Sequence, residues 1–246
     1  MREDAAQHVI YVHGLWMSGG ESVLLAHRLL REFGLQVHAF PYSAVTWGME
    51  EITAQLQHFV SSLEVPAVHF VGHSLGGLVI YRYFERYPLQ PPGRVVFLGT
   101  PSLQSRAAVA AARVRFISTL MGPSVADELL RPRERHWTFG RALGIIAGTQ
   151  SLGLGQFLAG FEEECDGTVG VSETRLPGAA DHIVLPVSHM GMLVSPRVAR
   201  GWAGCGAPPA RPGTDLRARP ARQSTSARGW RRRVACTGLC SSPAWP

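Results

Sequence analysis

Short, nearly continuous apolar runs alternate with longer stretches of mixed polarity over the first 200 residues. Runs such as Val-Ile-Tyr-Val and Val-Val-Phe-Leu lack the alternation of a half-exposed strand. They are typical of parallel strands that are covered on both faces. We therefore predict strands over residues 8–13, 36–41, 67–72, 94–99, 143–148 and 182–186.

Between these runs, apolar residues recur at helical spacing, which predicts helices over residues 21–33, 50–63 and 74–87. Gly34 follows the first of them and Pro88 the third, and both residue types are common just beyond a helix. Strands that alternate with helices favour crossover connections. The pattern therefore predicts an α/β fold of about six mostly parallel strands flanked by helices.

Residues 102–141 form a longer connection than one crossover helix needs, with a predicted break at Gly122-Pro123. Two interpretations are open. The segment is either a helical cap over a pocket, with Trp137 and Phe139 as candidate lining residues, or a pair of ordinary crossover helices.

Composition changes abruptly at residue 201. All 24 basic residues are Arg; residues 1–200 hold 16 of them beside 17 carboxylates, whereas residues 201–246 hold eight beside Asp215 alone. This Arg-, Gly- and Pro-rich segment has too few aliphatic side chains to offset its ordering entropy. We therefore predict a folded domain over 1–200 and a disordered tail over 201–246. Contact of the Arg run 231–233 with nucleic acid or anionic lipid, and an out-of-frame extension, are the alternatives.

Other overall properties narrow the class of protein. The apolar runs are far shorter than the roughly 20 residues of a membrane-spanning helix, and the amino terminus lacks a signal-peptide pattern. We therefore expect a cytoplasmic protein without a transmembrane segment. Cys165 is the single cysteine of residues 1–200, and the cysteines lack zinc-site spacing. We expect neither a disulfide framework nor a metal or other cofactor, and no specific nucleic-acid binding by the folded domain.

A Gly-His-Ser-Leu-Gly segment at residues 72–76 has the form G-x-S-x-G and lies between a predicted strand and a predicted helix. In that context it predicts a sharp turn that exposes Ser74 as a nucleophile, with Gly72 and Gly76 permitting the tight backbone. Ser151 also follows a strand, but Thr149 stands where the first glycine would be, so we assign Ser151 to a loop.

The His-Gly-Leu-Trp segment at residues 13–16 directly follows the first predicted strand. A serine nucleophile needs backbone N–H donors for the oxyanion, one from the residue after the serine and one from this loop. We therefore assign the oxyanion hole to the N–H groups of Leu15 and Leu75, with Gly14 forming the turn. Trp16 and Met17 are candidate pocket residues.

The general base is expected after the last strand, where His189 opens a helix predicted over about 190–200. His182 is the alternative, although it begins that strand and so lies at the other edge of the sheet. For the acid that orients the base, Asp166 opens the turn Asp-Gly-Thr-Val after the fifth strand. The glutamates at 162–164, and a turn-forming role alone for Asp166, remain alternatives.

These motifs resemble those of α/β-hydrolases of the lipase and esterase type. The resemblance covers about residues 8–200. The chain is similar to bacterial lipases that contain His-Gly-Leu, Gly-His-Ser-Leu-Gly, Asp-Gly-x-Val and a late His. It implies a minimal α/β-hydrolase fold that begins at the family's third strand, with catalytic groups at the carboxyl ends of the strands. The helix behind His189 is shorter than this family's pattern implies.

The resemblance also implies a function: a serine carboxylesterase or lipase that acts on a small-molecule or lipid ester through an acyl-enzyme, with a role in lipid metabolism. Ser74, Asp166 and His189 would form its catalytic triad, and no cofactor would be needed. An amidase or thioesterase with the same groups is an alternative. An inactive hydrolase fold that only binds its ligand is another.

Overall fold

The computed structural model describes residues 7–102, 122, 128, 134–151 and 164–204. The strands are β1 (Gln7–Val12), β2 (Leu35–Ala39), β3 (Val68–His73), β4 (Val95–Leu98), β5 (Leu143–Gly148) and β6 (Asp181–Leu185). The α-helices in this part of the chain are α1 (Val23–Phe33), α2 (Met49–Ser62), α3 (Leu75–Arg86) and α4 (Pro196–Gly204). Single 3-10 turns lie at Gly20–Ser22, Ser172–Thr174 and Met190–Leu193.

The six strands form one sheet in the order β2-β1-β3-β4-β5-β6, and every neighbouring pair is parallel. This confirms the predicted fold class, and each predicted strand lies within two residues of the observed one. Because all strands run the same way, the loops that follow them meet at one edge of the sheet. Residues that follow strand ends far apart in the sequence are thereby brought together.

Two apolar layers cover the sheet, and successive strand residues alternate between them. Ile10, Phe70 and Phe97 pack on the side of α2 and α3. Their neighbours Tyr11, Val71 and Leu98 pack on the side of α1 and α4. Burial on both faces explains why the strands read as unbroken apolar runs.

The segment after His189 differs from the single helix predicted over about 190–200. The chain makes the 3-10 turn Met190–Leu193 and then begins α4 at Pro196, a residue well suited to a first helical position. α4 continues to Gly204, and Trp202 is only 4% exposed, in the apolar layer beside α1. The helix thus extends four residues past the boundary predicted at residue 200, and Trp202 buries a large apolar surface there. The rest of the predicted tail lies outside the described residues.

Most of the connection 102–141 also lies outside the described residues, so the cap interpretation is not decided there. The described parts include Glu128, whose carboxylate lies 2.9 Å from Nε of Arg82 on α3 and 2.8 Å from Nη2 of Arg135. Glu128 and Arg135 are both buried. Buried charges need such pairing, and these contacts join this stretch to α3.

The structure corrects the pocket assignment of Trp137 and Phe139. Trp137 is 5% exposed and packs edge-on against Phe84 and Phe97 at centroid distances of 5.8 and 5.7 Å. Its indole N–H donates to the carbonyl of Arg141, just before β5. Trp137 therefore belongs to the core near the amino-terminal edge of the sheet, opposite the edge that carries Ser74, because a large ring gains more from full burial than from lining an open site. Phe139 is partly buried and packs against Trp137, with ring centroids 4.9 Å apart.

Candidate active site

Ser74 lies in a strained turn between β3 and α3, with φ 54° and ψ −123°. A side chain is rarely accommodated at such a φ, and strain of this kind is common at functional positions. Its backbone N–H donates to the carbonyl of Leu98 at 2.9 Å, which anchors the turn to the end of β4. The Ser74 side chain is half-buried at the carboxyl edge of the sheet.

The glycines around Ser74 are required by close backbone contacts. A Cβ at Gly72 would lie 2.5 Å from the Cα of Gly77, and one at Gly76 would lie 2.0 Å from the carbonyl oxygen of Val12. Neither distance is possible for a side chain, so only glycine fits at these positions. The turn around Ser74 therefore has the sharp strand-to-helix geometry that the sequence predicted.

The loop after β1 lies directly against this turn. A Cβ at Gly14 would lie 3.1 Å from Cβ of Ser74, which places the Gly14–Leu15 peptide beside the serine. Leu75 begins α3, and N–H groups in the first turn of a helix lack an acceptor within the helix. Gly14, the residue before Leu15, therefore lies against Ser74, and Leu75 follows Ser74 directly at the start of α3.

Asp166 and His189 form a close buried pair. Oδ2 of Asp166 lies 2.7 Å from Nδ1 of His189, and the backbone N–H of His189 donates to the carbonyl of Asp166 at 2.9 Å. The other carboxylate oxygen accepts the N–H groups of Thr168 and Val169 at 2.9 and 2.7 Å. Asp166 is fully buried and His189 is 8% exposed. The turn predicted at Asp166 thus fixes the carboxylate, and the carboxylate fixes the imidazole.

This pair lies beside the end of β4, which also anchors Ser74. Gly99 follows β4 with φ +55°, and a Cβ there would lie 2.9 Å from Oδ2 of Asp166 and 3.0 Å from Nδ1 of His189. The backbone of Gly99 therefore packs directly against the side chains of Asp166 and His189. The structure therefore brings Ser74, Asp166 and His189 to the same edge of the sheet.

His73, which the sequence analysis did not single out, contacts His189. Its Nε2 lies 3.0 Å from the carbonyl oxygen of His189, and the two rings are 4.7 Å apart. Burial, reinforced by His189, lowers the pKa of His73 to about 3. The ring is therefore neutral near pH 7, and its one proton serves as the donor to His189. No local motif could show this, because 116 residues separate the two partners.

The alternative site residues lie elsewhere or have other partners. His182 lies near the start of β6, and its Nε2 contacts the hydroxyl of Thr174 at 2.8 Å. The hydroxyl of Ser151 donates to the carbonyl of Cys165 at 3.1 Å. Glu164 is exposed, and residues 162 and 163 lie outside the described part.

An open groove of about 480 Å³ adjoins the loop after β1. Its lining comes from that loop and from the loop after β2: Trp16, Met17, Ser18, Pro41, Tyr42, Ser43, Ala44, Val45 and Trp47. A Cβ at Gly14 would lie 3.1 Å from Cβ of Ser74 and 3.1 Å from the sulfur of Met17, which lines the groove. Trp16 and Met17, which the sequence analysis named as candidate pocket residues, line this groove. Sequence reasoning missed residues 41–47, although apolar side chains in a loop were the available signal.

The described residues are also informative about metal sites and membrane-spanning helices. No group of three or more His, Cys, Asp and Glu side chains there could hold a metal ion. No helix of that part is both long enough and apolar enough to cross a lipid bilayer.

Comparison with known proteins yields structural matches only. No protein-family model matches the sequence, and neither does any curated protein. Among solved structures, a mature lipase of Bacillus licheniformis matches with a TM-score of 0.65 and 18% identity, over 82% of this chain and 92% of that one. A metagenomic carboxyl esterase matches with a TM-score of 0.61 and 18% identity, over 80% of this chain and 73% of that one.

A thioesterase from the prodiginine pathway of Streptomyces coelicolor matches with a TM-score of 0.53 and 14% identity, over 82% of this chain and 85% of that one. At such low identity these matches establish architecture, and they agree with the parallel sheet and its flanking helices. The predicted resemblance is confirmed at that level: the chain has the fold of the α/β-hydrolase superfamily.

Proposed function

We propose that this protein is a serine hydrolase that cleaves carboxylic esters through an acyl-enzyme. The observation that carries the proposal is the buried Asp166–His189 pair, with its 2.7 Å contact, at the edge of the sheet where the strained elbow presents Ser74. A nucleophile, a base and an orienting acid on three loops of one sheet edge form the constellation that acyl transfer requires. Similarity in fold to lipases and to an esterase supports the same class.

In the first half of the proposed reaction, Oγ of Ser74 attacks the ester carbonyl carbon while Nε2 of His189 takes its proton. The carbonyl oxygen becomes an oxyanion and accepts hydrogen bonds from the N–H groups of Leu15 and Leu75. The tetrahedral intermediate then collapses. The bond to the alcohol breaks, and the alcohol leaves with the proton from His189.

In the second half, a water molecule attacks the acyl-serine while His189 takes one of its protons. Collapse of the second intermediate releases the carboxylic acid and returns the proton to Ser74. Asp166 accepts a hydrogen bond from Nδ1 of His189 throughout, so Nε2 remains the nitrogen that exchanges protons.

The groove beside Met17 favours an ester with an apolar group of several carbons. Trp16 is 62% exposed and, with Trp47, supplies aromatic surface at the groove. Covering such a surface with an alkyl chain removes apolar area from water, which favours binding. A small-molecule or lipid ester therefore suits the site better than a short, charged one.

A thioesterase is the second candidate, because one of the structural neighbours is a thioesterase and the same groups handle either carbonyl. The proposed chemistry differs only in the leaving group, a thiol in place of an alcohol. Comparison of an oxygen ester with the matched thioester of the same acid distinguishes the two. A preference for the thioester in kcat/KM would favour this second candidate.

Labelling with a fluorophosphonate tests the proposal, because the reagent reacts covalently with an activated serine. We expect the full chain to be labelled at Ser74 and to hydrolyse a nitrophenyl ester. Ser74→Ala should lose both properties while remaining folded. Ser151→Ala is the matched control, because Ser151 also follows a strand but donates to a backbone carbonyl, and it should be labelled like the wild type. Absence of labelling in the wild type would favour a fold that only binds its ligand.

A further inference from the structure

His13 is a fully buried histidine at the end of β1 that the proposed reaction does not use. Its two ring nitrogens both face backbone carbonyl oxygens. Nδ1 lies 2.8 Å from the carbonyl of Gly14, and Nε2 lies 3.1 Å from the carbonyl of Tyr42. Carbonyl oxygens accept hydrogen bonds, and the contact of Nδ1 is the shorter of the two, so we take the Gly14 carbonyl as the acceptor of the Nδ1–H.

The Gly14 carbonyl belongs to the same peptide unit as the Leu15 N–H. This peptide is trans, because the described chain contains no cis peptide bond. In a planar trans peptide the C=O and N–H groups point in opposite directions. A donor that fixes the Gly14 carbonyl therefore also fixes the direction of the Leu15 N–H.

The Gly14–Leu15 peptide needs such a constraint. Gly14 has no side chain to restrict its backbone, and Trp16, two residues on, has φ 58°. Unfixed, a glycine peptide of this kind can rotate and turn its N–H away from the serine. The crowded contact of Gly14 with Ser74 positions the peptide but does not set its rotation.

Tyr42 holds His13 in turn. The two rings stack with centroids 4.1 Å apart at 16°, and the Tyr42 hydroxyl donates to the His13 carbonyl at 2.6 Å. Burial, reinforced by the nearby charge of Glu21, raises the pKa of the Tyr42 hydroxyl well above its ordinary value. The hydroxyl therefore keeps its proton and remains a donor. The His13 imidazole is thus held by the Tyr42 ring and by contacts with the carbonyls of Gly14 and Tyr42. The His13 backbone is held by the Tyr42 hydroxyl.

We propose that His13 is a positioning residue that aims the Leu15 N–H at the oxyanion, through the hydrogen bond from its Nδ1 to the Gly14 carbonyl. The inference rests on the proposed function. It assigns His13 no contact with substrate and no proton transfer. Its effect is on the strength of the oxyanion hole, which acts in the transition state and hardly at all in the ground state.

Two substitutions of His13 separate this role from packing. Asn places its amide nitrogen about where Nδ1 stands and can still donate to Gly14. Gln places its amide nitrogen about where Nε2 stands and can donate only to Tyr42. We expect H13Q to lower kcat for a nitrophenyl ester by about 10²- to 10³-fold, the loss typical of one oxyanion donor. We expect H13N to stay within about tenfold of wild type and KM to change little in either variant.

A thionoester provides the second readout, because its sulfur is a larger and weaker hydrogen-bond acceptor than oxygen. H13Q should slow the thionoester at least about tenfold less than the oxygen ester, since the lost interaction is to the oxyanion. Equal losses for H13N and H13Q, or equal losses on both substrates, would overturn the inference and leave His13 a packing residue.

Nuclear magnetic resonance of ¹⁵N-histidine-labelled wild-type protein keeps the test decisive if a variant does not fold. We expect the His13 resonances to show a proton on Nδ1, and an unprotonated Nδ1 would overturn the inference. Failure of the proposed function is distinguishable, because it would show as absence of fluorophosphonate labelling at Ser74. Wild-type labelling with unaltered H13Q kinetics would reject only the role of His13.

Discussion

At the scale of single residues, the candidate site depends on side chains that bond to backbone carbonyls and amides of neighbouring loops. Asp166 accepts two N–H groups of its own turn and contacts His189, while His73 donates to the carbonyl of the same histidine. These bonds fix the rotation of the His189 ring and the position of its backbone. Substitutions of these partners should therefore affect rate and stability in separable ways.

Asp166→Asn tests the acid. An amide cannot accept the His189 Nδ1–H as a carboxylate does, and it favours the wrong imidazole tautomer. We expect kcat for an activated ester to fall by up to about 10⁴-fold with little change in KM. Glu164→Gln is the matched control, because Glu164 is exposed two residues away, and it should retain wild-type kinetics. Wild-type kinetics in Asp166→Asn together with a large loss in Glu164→Gln would show that Glu164 is the acid.

The lowered pKa of His73 makes the free energy of unfolding depend on pH. Its pKa is lowered to about 3 in the folded protein, chiefly by burial, whereas the pKa of a histidine in an unfolded chain is about 6.5. Between these values the unfolded chain binds a proton that the folded chain does not. The free energy of unfolding should therefore decrease as the pH falls from about 6.5 towards 3, by up to about 1.4 kcal/mol per pH unit from this group.

Urea unfolding at pH 7 and pH 5 measures that dependence. His73→Gln removes the titration and keeps an amide donor for the His189 carbonyl, so it should lose less stability between the two pH values than the wild type. His27→Gln, at an exposed position of α1, should keep the wild-type dependence. Parallel pH curves for all three proteins would contradict the role assigned to His73.

At the scale of elements, the loops after β1 and β2 form the groove, and the segment before β5 does not. Ser18→Trp, at an exposed position of the lining, should fill part of the groove and lower kcat/KM for an octanoate ester about tenfold or more relative to an acetate ester. The comparison uses nitrophenyl esters of the two acids. An unchanged ratio would show that the acyl chain lies elsewhere.

Trp137→Ala provides the complementary test, because Trp137 packs in the core near the amino-terminal edge of the sheet. We expect the loss of this ring to lower the free energy of unfolding by about 3–5 kcal/mol. The octanoate-to-acetate ratio should stay the same in protein that remains folded. A changed ratio would restore Trp137 to the pocket.

At the scale of the whole molecule, the described fold continues through α4, past the change in composition at residue 201. Trp202 packs in the layer beside α1, and its ring meets His69 edge-on at 5.9 Å. A chain ending at Gly204 should keep its ester hydrolysis and its thermal stability and lose the excess positive charge of the tail. A chain ending at Arg200 should be less stable by about 3–5 kcal/mol, because it lacks the Trp202 ring.

Thermal unfolding and ester hydrolysis of the full chain and the two truncations measure this difference. Equal stability of the two truncations would show that Trp202 contributes nothing. A loss of activity on ending the chain at Gly204 would show that residues 205–246 contribute to the fold or to the site.

The sequence by itself determined the strands, their parallel arrangement and the elbow, because unbroken apolar runs and a G-x-S-x-G turn are local consequences of burial and backbone sterics. It also pointed to Asp166 and His189, since residues that follow parallel strands share one edge of the sheet. Only the tertiary structure decided what depends on distant partners. Trp137 could line a pocket or fill the core with the same local sequence, and its contacts with Phe84 and Phe97 place it in the core.

The same reason applies to His13 and His73. Each looked like an ordinary turn residue, and each is held by a partner far away in the sequence. The ring and hydroxyl of Tyr42, 29 positions away, hold His13, and the carbonyl of His189, 116 positions away, accepts the N–H of His73. The limit of α4 is of this kind too, because Trp202 is followed by a tail-like composition and only its burial shows that it belongs to the fold. Hydrophobic pattern and turn chemistry act over a few residues, whereas packing and buried hydrogen bonds join residues that only the complete chain brings together.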